Sequence, residues 1–210
     1  MYREKKIYSG KILEVELYPV YKSGREIPRR AKKEKLSTKE QKNLNDKNAR
    51  KKLTRTINAN FGAADYFLTL TYDGAIGAPA AKKKIANFFR RLKRWRLKNG
   101  QGDLKYISVL ETKGRCHHHV ILNGLMGLSL KEAWEILFNL WGEGYIFLKR
   151  LKKSQEDTRL ASYITKENIK KNAKRWSQSR NLQKPKVKIE EVAEHKTHRP
   201  LTVPKNYIRL

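Results

Sequence analysis

One cysteine, Cys116, stands among 210 residues. That excludes an internal disulfide framework and any zinc site built from several thiolates. No apolar run reaches the roughly 18 residues that a bilayer span needs. The opening MYREKKIYSG lacks the apolar stretch of a secretory signal, so the expectation is an intracellular, cytoplasmic protein with no membrane partner. No GxxxxGK[ST] phosphate loop occurs, which argues against an ATPase, and no HExxH helix, which removes the commonest zinc-hydrolase chemistry. Acidic residues are scarce: 20 Asp plus Glu oppose 49 Lys plus Arg, a formal net charge of +29. Yet 39% of the residues are hydrophobic and 10% aromatic, too many core formers for a disordered basic tail. A folded chain so charged points to a polyanionic partner, nucleic acid first and an anionic membrane surface second.

The charge is clustered. Residues 22–55 carry 14 basic and 4 acidic residues, 82–98 carry 9 basic and none acidic, and 149–188 carry 14 basic and 3 acidic. Between the last two, residues 103–147 hold 4 basic against 5 acidic. A near-neutral block between basic flanks suits a buried core with a charged rim.

The local patterns predict α+β architecture. Residues 6–20 alternate in places and end near Pro19, reading as a strand or hairpin. Ser37 with Glu40 three residues on reads as a capping box opening a mostly polar helix to about Asn58. YFLTLTY, 66–72, is rich in aromatic and β-branched residues and reads as a strand, closed by Asp73-Gly74. From Pro79 the spacing of Ile85, Phe88, Phe89, Leu92 and Trp95 is helical, with Lys and Arg opposite. Residues 105–111 and 117–122 read as a hairpin turning around Lys113-Gly114. Ser129 with Glu132 caps a helix whose Trp134, Leu137, Phe138 and Trp141 are expected to face a core. A short strand at 145–148, a helix at 157–171 and a basic tail with a strand candidate at 186–190 complete the order. The expected fold is a central antiparallel sheet of about five strands covered by helices.

Three constellations carry chemistry. Five histidines occur and three are consecutive, His117-His118-His119. In a strand, i and i+2 share a face, so His117 and His119 point one way and His118 the other. A hairpin loop of three or five residues sets Glu111 opposite His117 on that face; a two-residue loop sets it opposite Cys116. Two imidazoles and a carboxylate converging on one point make a divalent-metal site with open positions. Tyr163 and Lys166, at i,i+3 on a helix, share a face. A phenol with a pKa of about 10 in solution becomes a plausible nucleophile beside a cation and a metal-polarised phosphate. The run Lys174 to Leu182 alternates cations, hydroxyls and Trp176, as a surface for single-stranded nucleic acid does.

The order of FLTLTY (67–72), E-x(5)-H-x-H (111–119) and Y-x-x-K (163–166) resembles the HUH endonucleases, the rolling-circle replication initiators of small phages, plasmids and circular single-stranded DNA viruses. VLETKGRCHHHVIL resembles the metal motif of phage-type members, and RWSQSRNLQKP (175–185) is similar to a segment after the nucleophile helix in filamentous-phage-like initiators. The resemblance covers roughly residues 38–185. It implies His117 and His119 as metal ligands with Glu111 supplying a carboxylate, Mg²⁺ or Mn²⁺ as the ion, and Tyr163 as nucleophile on a helix facing the sheet, with Lys166 beside it. The middle residue of that motif is usually bulky and hydrophobic, and His118 departs from this. One turn beyond Tyr163 stand Lys166 and Glu167, so the chain resembles a single-tyrosine version. A second subunit or water would then resolve the intermediate.

The implied domains are a basic extension at 1–36, an endonuclease domain at 37–190 and a tail at 191–210, with no helicase domain. DNA contacts are expected from Lys113, Arg115 and His118, from Arg159 and Lys170, and from Arg175, Trp176 and Arg180. The implied activity is metal-dependent nicking and joining of single-stranded DNA through a 5′-phosphotyrosine. The partner is an origin presented as a hairpin or melted duplex, with host helicase and polymerase following. A relaxase or single-strand transposase with the same chemistry is the nearer alternative. A non-catalytic single-strand-binding module, using aromatic side chains on the sheet, is the other.

Overall fold

The computed structural model describes residues 1–20, 38–151 and 175–193. In chain order the elements are β1 (Tyr2–Ser9), β2 (Ile12–Pro19), α1 (Lys39–Asn60), β3 (Tyr66–Thr71), α2 (Ala78–Lys98), β4 (Tyr106–Glu111), β5 (His117–Leu122), α3 (Leu130–Trp141), β6 (Ile146–Arg150), β7 (Ser177–Gln178) and β8 (Lys186–Val192). The connector at 21–37 and the helix expected at 157–171 lie outside the described residues. None of the helices described is long and apolar enough to cross a membrane.

The chain divides into two compact units, Asn60–Leu182 and Met1–Ala59 with the chain from Gln183 onward. The division falls at Asn60 and Gln183. The reason is pairing: β8 runs antiparallel to β1 from Tyr2↔Val192 to Tyr8↔Lys186, so the strand candidate in the tail completes the sheet begun by the N-terminal hairpin.

In that smaller unit the sheet order is β2-β1-β8. Gly10 turns the hairpin at φ 60°, and a Cβ there would stand 2.1 Å from the Asn58 carbonyl oxygen, so only glycine fits. Ile7 and Ile12 are buried on the hairpin and Leu53 and Ile57 on α1. Glu14 and Glu16, on the same hairpin face as Ile12, receive Arg55 at 2.8 and 2.7 Å. Lys51 adds a 3.0 Å contact to Glu16. These cations hold the Glu16 carboxyl down at about 2, the Lys51 hydrogen bond first and Arg55 second. The start of α1 is capped by Thr38, whose Oγ1 accepts from Gln41 N at 3.2 Å.

The larger unit holds a five-stranded antiparallel sheet of order β6-β3-β5-β4-β7, as the α+β expectation required. Strand alternation divides its two faces. Tyr66, Leu68, Leu70, Val120, Leu122, Ile146 and Leu148 turn toward α2 and α3, where Ile85, Phe88, Leu92, Ala133, Leu137 and Trp141 complete one core. Each fully buried aliphatic or aromatic side chain contributes roughly 1.5–3 kcal/mol by leaving water. The Ser129 capping box forms as expected, with Glu132 N donating to Ser129 Oγ and Ser129 N to the Glu132 carboxylate. Phe138, expected in the core, lies 38% exposed and stacks on the half-buried Trp134 instead, because α3 buries only the stripe of Ala133, Leu137 and Trp141. Arg96 on α2 is buried despite its charge. It donates to the carbonyl oxygens of Gly102, Asn123 and Gly124, a hub that ties two loops to the helix.

Candidate metal centre

The β4–β5 hairpin decides the site. Its loop has five residues, 112–116, and the register pairs Glu111 with His117 and Val109 with His119. The three-or-five-residue alternative is therefore the one realised, and Glu111, His117 and His119 share the sheet face turned away from α2 and α3. His117 Nε2 and His119 Nε2 are 3.1 Å apart, and they lie 3.2 and 3.3 Å from Glu111 Oε2. Two donors bound to one ion at about 2.1 Å stand about 3.0 Å apart in an octahedral shell and about 3.4 Å apart in a tetrahedral one. The spacing fits a shared ion in either geometry, and the three residues could hold a metal.

Neighbours orient the imidazoles. His117 Nδ1 is 2.7 Å from the Arg115 carbonyl oxygen, an acceptor, so Nδ1 carries the proton and Nε2 presents its lone pair. His119 Nδ1 is 3.3 Å from Thr69 Oγ1 on the adjacent strand, and the Phe67 ring stacks on His119 at 5.6 Å. Thr69 and Phe67 were missed as site residues. Their signal was present in FLTLTY: with Thr69 opposite His119, alternation sets Phe67, Thr69 and Thr71 on the ligand face. Phe67, Ile107, Val109 and Ile121 form a buried apolar patch on that same face.

His118 points the other way and corrects the expectation that it touches DNA. It is 1% exposed, enclosed by Tyr72 and Trp141, with Nε2 2.8 Å from the Tyr72 hydroxyl. Burial, reinforced by the neighbouring His117 and His119, lowers its pKa to about 4, so it stays neutral at pH 7. Among the described residues its Nδ1 has no hydrogen-bond partner.

The remaining expected residues are dispersed. Lys113 is exposed on the five-residue loop. Arg115 is exposed there too, and its guanidinium donates to the Tyr72 carbonyl oxygen, bracing the loop against the end of β3. Arg175 and Trp176 are half-buried, with the indole N–H donating to Gln178 Oε1 at 2.8 Å. Arg180 is exposed just beyond β7. The basic run expected as a single-strand surface contributes an edge strand, since Ser177 and Gln178 pair with Ser108 and Ile107. Tyr163, Lys166, Arg159 and Lys170 lie outside the described residues. The aromatic side chains of YFLTLTY do not form an exposed stacking platform: Tyr66, Phe67 and Tyr72 are 1, 5 and 3% exposed.

Fold and site together define an α+β protein whose antiparallel sheet carries helices on one face and a candidate Glu–His–His metal centre on the other. The chain belongs to the replication-associated protein ORF2 family, whose model matches residues 65–172, the stretch that contains the triad. Its role is thereby in replication, with nucleic acid involved. Among solved structures, the hypothetical protein ORF119 from Sulfolobus islandicus rod-shaped virus 1 is similar to part of the chain. It is 20% identical, with a TM-score of 0.38, and the match covers 58% of this chain and 97% of that one. No curated protein matches the chain.

Proposed function

We propose that this protein is an HUH-type initiator of rolling-circle replication, which nicks and rejoins single-stranded DNA through a tyrosine nucleophile. The observation that carries the reading is the convergence of Glu111, His117 and His119 on one sheet face in a replication-associated chain. Exposed cations and the net charge of +29 collect the DNA by counterion release, so binding weakens steeply with salt. Glu111, His117 and His119 would hold Mg²⁺ or Mn²⁺, for which a hard carboxylate is a suitable donor. When bound, the ion polarises the scissile phosphate and offsets charge building on its oxygens.

Tyr163 Oη attacks phosphorus, forming a 5′-phosphotyrosine as the bond to O3′ breaks. Lys166, three residues on in the helix that the sequence predicts over 157–171, favours the phenolate. The freed 3′-OH primes a host polymerase, with strand separation left to a host helicase. Because the phosphodiester energy stays in the covalent bond, rejoining needs no ATP.

The test is incubation with a pool of labelled single-stranded oligonucleotides and Mn²⁺, followed by a denaturing gel. A slow, protease-sensitive band is expected that disappears with EDTA and in Tyr163→Phe, which keeps binding DNA. An adduct that survives in Tyr163→Phe rejects the nucleophile, and one indifferent to EDTA rejects the metal centre.

A further inference from the structure

The cations of α2 have two different employments. Lys84 pairs with Glu143 at 2.8 Å. Arg91 donates to the carbonyl oxygens of Leu140 and Trp141 at 2.8 and 2.9 Å, and Arg96 is the buried hub described above. These three hold the fold. Lys93 and Arg94 are exposed with no acidic partner among the described residues, and Arg90 reaches only the side chain of Asn87.

Arg90 and Lys93, three residues apart on one helix face, look into a groove of about 540 Å³ whose far rim carries Arg180. Its apolar lining includes the half-buried Tyr106, backed by the buried Phe89 and Leu104. The rings of Phe89 and Tyr106 stack with centroids 3.7 Å apart and planes 17° apart. The wall bearing Arg180 is anchored on both sides of it: Tyr106 N donates to Ser179 Oγ at 3.1 Å, and the Asn181 amide donates to the Leu104 carbonyl oxygen at 3.3 Å. Among the described residues lining the groove, Asp103 is the one acid, which leaves the cations in excess. Tyr106 lies opposite Leu122, on the helix side of the sheet, so the groove and the triad are on opposite faces.

We infer that this groove is a second single-stranded nucleic-acid site, remote from the triad, in which Arg90, Lys93 and Arg180 take backbone phosphates and an unpaired base lies against the half-buried Tyr106, which Phe89 backs from the core. The inference rests on the nucleic-acid reading above and adds a specific site to it. A cationic rim around an aromatic floor is the chemistry of single-strand binding, where base stacking contributes roughly 1–3 kcal/mol per base. A duplex does not suit the recess, because its bases are already stacked and paired and it would offer the rim only phosphates.

The test uses the full chain in EDTA, so that cleavage plays no part, with fluorescein-labelled oligothymidylate as the probe. Arg90→Gln/Lys93→Gln/Arg180→Gln alters exposed side chains only, and circular dichroism checks that the fold persists. Three lost phosphate contacts should flatten the slope of log K against log salt by about 2, each contributing about 0.7 on a single strand. An unchanged slope and affinity overturns the site while leaving the tyrosine-adduct test of the nicking reading untouched. An equal loss of affinity for a blunt duplex overturns the single-strand assignment. Failure of the unaltered protein to bind the probe would reject the nucleic-acid reading itself.

Discussion

Thr69→Val tests whether orienting His119 matters to the candidate metal centre. The substitution keeps the side-chain volume and removes only the hydroxyl, 3.3 Å from His119 Nδ1. With it goes one hydrogen bond that helps hold the ring so that Nε2 faces Glu111 and His117. Outer hydrogen bonds of this kind are worth about 10–100-fold in metal affinity, or about 1.4–2.8 kcal/mol. Because 3.3 Å is long for a hydrogen bond, the lower end is expected, about a tenfold weaker affinity. The assay is a Mn²⁺ titration of the full chain, reading free Mn²⁺ by its electron paramagnetic resonance signal. Thr71→Val is the control: Thr71 shares the face, and its hydroxyl donates to the Tyr145 carbonyl oxygen at 2.9 Å. It should cost a similar stability, about 1 kcal/mol, with unchanged Mn²⁺ affinity. In a His119→Ala background Thr69→Val should have no further effect on metal binding. Equal losses from the two threonine substitutions, or none from Thr69→Val, would refute the orienting role.

Two further outcomes follow from burial and charge. His118→Leu replaces a ring whose Nδ1 has no partner among the described residues, and the Tyr72 hydroxyl retains its bond to the Ala81 carbonyl oxygen, so stability at pH 7 should stay within about 1 kcal/mol of the parent. Its affinity for single-stranded DNA should be unchanged, and a loss with the fold intact would contradict burial away from the DNA. Glu16 has a folded pKa of about 2 against an ordinary 4.5, so its stabilisation is fully present above about 4.5 and is lost as pH falls toward 2. Because the ion pair is partly exposed, screening cuts the worth of that shift to about 1 kcal/mol. The stability gap between the parent and Glu16→Gln, from urea unfolding, should close by that amount between about pH 5 and 2, and a constant gap would sink the assignment.

Much of this fold is legible locally. YFLTLTY, the α2 stripe from Ile85 to Trp95 and the Ser129–Glu132 capping box each carry their conformation in a few adjacent residues, and each forms where the pattern predicts. Errors begin where a partner distant in sequence decides. Phe138 is exposed because α3 buries a narrower stripe than its apolar residues suggest. Ser177 and Gln178 become an edge strand only because β4 offers an unpaired edge. Lys186–Val192 joins a second sheet because β1, at the other end of the chain, pairs with it.

The site divides along the same line. Alternation alone determines that His117 and His119 share a face and that His118 opposes them, since a strand has a two-residue period whatever surrounds it. Composition alone determines the polyanionic partner, because an excess of 29 positive charges survives any folding. Only the tertiary structure selects the five-residue loop that sets Glu111 opposite His117, and only the packing of α2 and α3 makes His118 a core residue. The physical reason is that conformational propensity and charge are properties of short segments. Register and burial are properties of pairs of segments, and they exist only once the chain has brought those pairs together.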